Sequence, residues 1–138
     1  MAFAGINYFA VIVAGFAAFG FGAIYYAVLA KPFTAATGLI QVKVDDGDEN
    51  VDRTPLLVSL TGEIFMAWML AGLIGHIGEV SIVTGLASGF FVWSGFILVP
   101  LVVNHRYQIM PWTLTFIDSG HWLGVVMLQG LIIGAFGT

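Results

Sequence analysis

The chain has 138 residues, of which 59% are hydrophobic and 9% charged, with a formal net charge of −4. A soluble domain usually carries about 25% charged residues, so this chain cannot coat a water-facing surface and reads as a single transmembrane domain over residues 1–138. The acidic balance argues against nucleic acid as a partner, and the absence of cysteine excludes disulfides, thiolate metal sites and thiol catalysis.

Four long apolar runs predict four spanning helices. The N-terminus is apolar and has no lysine or arginine before Lys31. A secretory signal would carry a positive start, so this segment is expected to be a retained first helix over about 6–30, ended by Lys31-Pro32. An acidic loop over 31–54 follows. Its stretch "VDDGDENVD" (44–52) starts like a calcium loop at Asp46, Asp48 and Asn50. Val51 then stands where glycine is needed and Leu57 where glutamate is needed, so a solvated acidic loop is expected.

Helix 2 is predicted over 55–77, with Thr54 as N-cap and Pro55 at the first helical position. The short "GHIGEVS" (75–81) makes a tight hairpin with helix 3, predicted over 82–103, whose last turns Pro100 should kink. Helix 4 is predicted over 112–136, opening at Pro111-Trp112.

Lys31, Lys43 and Arg53 lie in the first connection and Arg106 in the third, and these are all four basic residues. The positive-inside rule puts those connections in the cytoplasm and both termini outside. Tyr8, Tyr107 and Trp112 fit interfacial anchoring.

Helices 2 and 4 resemble each other. "TGEIFMAWMLAGLI" (61–74) and "SGHWLGVVMLQGLI" (119–132) share six of fourteen positions without a gap, and Glu63 aligns with His121. "AGFAAFG" (14–20) matches "SGFFVWS" (88–94) more weakly. The fold class is therefore all-α, an integral membrane four-helix bundle. Two tandem hairpins related by a pseudo-two-fold along the membrane normal are one arrangement it could take.

Lipid gives helices no hydrophobic reason to associate, so small residues must permit close approach. Ala14, Ala18 and Gly22 are spaced four apart. Gly85/Gly89, Gly120/Gly124 and Gly130/Gly134 form further such pairs. Packing within the chain is the default for these faces, and contacts to other subunits are the alternative.

Polar residues converge in depth. Glu63 lies roughly 12 Å into helix 2, Asp118 and His121 roughly 9 and 14 Å into helix 4, and Tyr25 and Tyr26 about 8 Å from Lys31. Ser94 is about 15 Å from Asn104 on helix 3. The candidate layer is Glu63, Asp118, His121, Tyr25, Tyr26 and Ser94, in the cytoplasmic half. A charge at mid-bilayer costs from ~3 to above 10 kcal/mol, so these groups should face the interior. They either bind a proton, cation or small polar ligand, or pair Glu63 or Asp118 with His121 to stitch the helices together. One imidazole at this depth is too few for a metal site. His76 and Glu79 sit at the outer end, in a solvated turn, and His105 reads as an interfacial contact beside Arg106. No nucleophile-base pair, phosphate loop or cofactor signature is present, so no enzyme activity is expected and no cofactor is named.

"INYFAVIVAGFAAFGFGAIYYAVLAKPF" (6–33), "WSGFILVP" (93–100) and "FIDSGHWLGVVMLQGLIIG" (116–134) resemble the family known as domain of unknown function 1761. Matching positions are Asn7, Tyr8, Tyr25-Tyr26, Lys31, Trp93-x-Gly95-Phe96 and Asp118-x-x-His121. Gly120 stands where the family often has tyrosine. The resemblance implies a small four-helix protein of the bacterial inner membrane and no particular activity. The arginine and asparagine-glutamate pattern of four-helix glutathione-using membrane enzymes is absent from helix 2. The sequence thus favours a non-catalytic membrane module, in lipid as a homo-oligomer or beside other membrane subunits. A small transporter or ion pathway through the polar layer is the alternative.

Overall fold

The computed structural model describes residues 5–38 and 52–137. Among them every regular element is helical: α1 (Tyr8–Val28), α2 (Ala30–Thr37), α3 (Thr54–Ile77), α4 (Ile82–Val92), a π-helical stretch (Trp93–Leu98), α5 (Val99–Tyr107) and α6 (Trp112–Phe136). The run from Ile82 to Tyr107 is continuous, and with α1, α3 and α6 it makes four helices long and apolar enough to cross a membrane. A multi-pass membrane protein is what they suggest. The central part of the acidic loop, including the "VDDGDENVD" stretch, lies outside the described residues.

Local chemistry explains the boundaries. Asn7 caps α1 by accepting the Ala10 N–H at 3.1 Å. Lys31-Pro32 does not end the helical path as expected. The break falls at Leu29, and α2 resumes at once with Pro32 as its third residue. A helix's first N–H groups have no partner within it, so proline is tolerated there. Gly38, in the left-handed region at φ 68°, closes α2.

The cap of α3 is also displaced. The Asp52 carboxylate accepts the Thr54 N–H at 2.9 Å, so Asp52 rather than Thr54 supplies the capping side chain. Hydrogen bonds from Thr54 hold the Asp52 carboxyl below its usual range. Gly78 terminates α3 at φ 153°, and Ser81 and Thr84 form a reciprocal capping box for α4.

Beside Pro100 the regular α pattern is interrupted. The six residues before Val99 widen into a π stretch, and the helix then continues to Tyr107, four residues past the predicted end. Proline has no N–H and its ring crowds the carbonyl four residues back. A wider turn relieves both problems without stopping the helix.

The long helices alternate in direction. Phe9 of α1 packs edge-on to Phe136 of α6, while at the other end Tyr25 and Tyr26 reach Ile117 and Asp118. Glycines set the separations. A side chain on Gly85 would strike the Gly130 carbonyl, one on Gly130 the Gly85 carbonyl, and one on Gly134 the Ser81 carbonyl. Gly89 lies against the Val126 carbonyl and Gly15 against Ile64. Gly124 receives the Phe21 ring, Gly120 the Tyr25 hydroxyl, and Ala18 is fully buried. Every small residue assigned to packing is thus used inside the chain. Gly15 and Gly89, aligned in the weaker sequence match, each bring the first helix of a hairpin onto the second. α6 packs closely on both α1 and α4, whereas α3 and α4 meet over a much smaller area.

The interior is divided along its length. Toward the termini it is apolar: Val11 and Ala14 of α1, Ala67, Leu70, Ala71 and Ile74 of α3, and Ile133 of α6 form one cluster. Toward the end that carries Lys31, Arg53 and Arg106, the buried groups are polar.

Candidate polar site

Glu63, on the third turn of α3, is 4% exposed. Its position is fixed by Gln129 of α6, which is fully buried and donates its side-chain amide to the Glu63 carbonyl at 2.9 Å. His121, on α6, is buried against α1 where Gly22 leaves room. A Cβ at Gly22 would stand 2.8 Å from His121 Nε2 and 3.9 Å from Glu63 Oε1. The imidazole is walled by Phe21, Tyr25, Tyr26 and Trp122, with Tyr26 nearest at 4.8 Å between ring centres.

Glu63 and His121 face a cavity of about 200 Å³. Phe19, Gly22, Ala23 and Tyr26 of α1 and Leu56 and Ser59 of α3 complete its lining. Among the described residues, Glu63 Oε2 and His121 Nδ1 are buried without a hydrogen-bond partner. Such groups are rare in folded proteins because each forfeits its desolvation energy. Among the described residues, neither Glu63 nor Asp118 forms an ion pair with His121.

Asp118 has other partners. Its Oδ1 accepts the Tyr26 hydroxyl at 2.7 Å, and its Oδ2 lies 3.7 Å from His105 Nε2. Tyr25 instead donates to the Ile117 carbonyl at 2.8 Å, and the missing side chain of Gly120 is what lets it reach there. Four of the six candidate residues thus surround the cavity or adjoin it through Tyr26: Glu63, His121, Tyr26 and Asp118. Tyr25 joins them as a wall of the histidine. Ser94 is not brought in. Its hydroxyl donates to the Phe91 carbonyl of its own helix at 3.2 Å. Trp93 makes the contact across to α6 instead, donating Nε1–H to the Ser119 carbonyl at 2.8 Å.

His105 is the main correction. Expected at the surface, it is 7% exposed. The extra helical turn past Val103 carries it inward, where Nδ1 lies 3.0 Å from Thr115 Oγ1. Arg106 donates to the same oxygen at 2.8 Å and stacks over Trp112 at 3.8 Å. The signal for His105 was its i+10 spacing to Thr115 across a short corner. Gln129 also went unremarked, although it is an amide in an otherwise apolar run. His76 bonds its own helix at the Gly72 carbonyl and, like Glu79, is exposed at the opposite end. No group of three or more potential metal ligands occurs among the described residues.

A family model described as protein of unknown function (DUF1761) matches residues 9–134. No curated protein and no solved structure matches the chain.

Proposed function

Because the chain belongs to the DUF1761 family of proteins of unknown function, whose membership assigns no activity, we propose a function from the polar site: a non-enzymatic inner-membrane protein that binds a small monovalent cation at Glu63, on a pathway through its cytoplasmic half. In this reading the four spans form one bundle with both termini outside the cytoplasm, as the basic residues at one end favour. The two-hairpin repeat is compatible with it.

One observation carries the reading. A buried carboxylate oxygen without a partner faces a cavity whose other polar groups are hydroxyls and an imidazole, with no lysine or arginine in the lining. Oxygen ligands suit hard cations. An intramembrane acid in such a setting marks an ion or substrate path more often than a structural pair.

Sodium or potassium uptake into proteoliposomes tests this. Glu63→Gln should abolish uptake while the protein still folds, and uptake unchanged by Glu63→Gln removes that residue from the mechanism.

A second reading, a non-catalytic module of a larger assembly, has its own support. A cavity of about 320 Å³ between α3 and α4 is lined by Phe65, Met66, Met69, Leu70, Leu73, Val92 and Val126. Methionine-rich apolar grooves adapt readily to a partner helix. The small-residue faces no longer support this reading, since they are occupied internally. Extraction in mild detergent as a species near 14.8 kDa would speak against it, and a much larger complex would favour it.

A further inference from the structure

The cavity at Glu63 has a floor and a mouth. α1 and α3 touch where Gly15 meets Ile64. About two turns nearer the end that carries Lys31, they enclose the cavity. Gly22, Ala23 and Tyr26 line it from one face of α1, and Leu56, Ser59 and Glu63 from one face of α3. Burial changes across this space. Glu63 and His121 are buried, Tyr26 is half-buried, and Ala23, Leu56 and Ser59 are exposed. The exposed three belong to helices long and apolar enough to span a membrane. Toward Lys31 the cavity is bounded by Tyr26, whose ring packs edge-on against Phe33 of α2 at 5.0 Å and whose hydroxyl is held by Asp118. Among the described residues, the mouth is therefore on the flank between α1 and α3. With the termini outside, that flank faces the cytoplasmic leaflet.

The floor adds a second constraint. Glu63 Oε2 and His121 Nδ1 are both buried without a hydrogen-bond partner. The other two polar atoms of these side chains converge. His121 Nε2 and Glu63 Oε1 stand 2.8 and 3.9 Å from one point, the Cβ position of Gly22. A carboxylate only accepts hydrogen bonds, and a neutral imidazole has one accepting nitrogen. A bare ion brings charge alone to such a pair. A primary ammonium brings charge and three N–H donors.

We infer that the Glu63 site takes a primary alkylammonium ion that enters sideways from the cytoplasmic leaflet, its nitrogen between Glu63 and His121 and its chain leaving between Ala23 and Leu56. The inference rests on the cation reading of the cavity and widens it from small ions to membrane-borne ones. The Ser59 hydroxyl, at the mouth, is an acceptor for the third N–H. An apolar tail stays in lipid and so concentrates the head at the mouth. A free long-chain amine and the headgroup of an aminophospholipid both supply this chemistry.

The test uses the whole chain, 15N-labelled at histidine, in nanodiscs of phosphatidylcholine, whose headgroup has no N–H. Octylamine, octyltrimethylammonium or sodium chloride is added at constant pH. His121 lines the cavity and reports binding, and His76 at the opposite end is the internal control. Octylamine should shift His121 and leave His76 unmoved. Octyltrimethylammonium has the same charge and tail without N–H donors, and should bind about tenfold or more weakly. Glu63→Gln should weaken octylamine binding by about 30-fold or more. Ala23→Leu narrows the mouth from an exposed position, away from the packed core, and should weaken octylamine more than sodium.

A His121 response to sodium and none to octylamine overturns the inference and leaves the cation site standing. Equal responses to the two octyl compounds, or octylamine binding unchanged in Ala23→Leu, also overturn it. No response to either octylamine or sodium withdraws the cation reading and the inference together. A response to octylamine alone upholds the inference and removes the alkali ion from the site. Nanodiscs of phosphatidylethanolamine separate the two sources. A His121 shift in that lipid without octylamine assigns the ammonium to a headgroup, and no shift assigns it to free amines.

Discussion

Tyr26 donates its hydroxyl to Asp118 Oδ1 at 2.7 Å, joining residues 92 positions apart on α1 and α6. The bond ties the end of the first long helix to the start of the last, and it lies where the lining of the cavity passes into the polar line toward His105. A hydrogen bond within a protein contributes about 0.5–1.5 kcal/mol net. Tyr26→Phe should therefore lower stability by roughly that amount in thermal unfolding in detergent. Asp118→Asn should cost less in the Tyr26→Phe background than alone, because neighbours in one network are not additive. Strictly additive losses would mean the two side chains do not act on each other.

The glycines divide into two groups with opposite signs. An alanine at Gly85 or Gly130 places a methyl against the facing backbone carbonyl, which cannot move aside as a side chain can. Overpacking of this kind costs about 1–3 kcal/mol. Gly62 has nothing within 4 Å of its Cβ position, so Gly62→Ala should be neutral or stabilise its helix by up to ~1 kcal/mol. Equal effects at Gly85 and Gly62 would contradict the close α4–α6 approach.

Gly22→Ala separates site from fold. Its methyl would stand 2.8 Å from His121 Nε2, the end of a side chain, and not against backbone. The ring has to shift within its aromatic walls, so unfolding temperature should fall, but by less than for an alanine against backbone at Gly85. Cation uptake should fall sharply, since the histidine is displaced from the cavity. Loss of folding together with uptake would show that Gly22 serves packing alone.

Ile109 is the one non-glycine residue among those described with positive φ, at 58° in the α5–α6 corner. A β-branched side chain is strained in that region by about 1–2 kcal/mol. Ile109→Gly should relieve some of this and raise the melting temperature, an effect that ordinary thermal scans resolve. A fall in melting temperature would show that the exposed Ile109 side chain contributes more than its backbone strain removes.

Much of this was legible in the sequence, for reasons that also mark where it stopped. Hydropathy sets the spans because lipid rewards apolar length and nothing else. Depth counted at a constant rise brought Glu63, His121, Asp118 and the tyrosines to one level, because α1, α3 and α6 are regular. The same counting failed for Ser94. The π stretch that begins at Trp93 turns the helix more slowly, so positions spaced for an α-helix no longer share a face, and Trp93 reaches α6 in its place. His105 was missed because the helix was expected to end at Val103, before the polar run Asn104-His105-Arg106. It continues to Tyr107, and that further turn takes the histidine into the interior. Gln129 was hidden by its context, since an amide in an apolar run gives no sign of which backbone carbonyl it will meet.

The most direct test of the cation site is to see the ion. Crystals of the protein grown in lipid and soaked in rubidium or thallium salt give an anomalous signal from the bound metal alone. A cation site predicts a peak in the cavity beside the Glu63 carboxylate, within reach of Ser59 or the Tyr26 hydroxyl, and absent in Glu63→Gln. Crystals that take up the ion elsewhere, or show no peak beside Glu63, would contradict it.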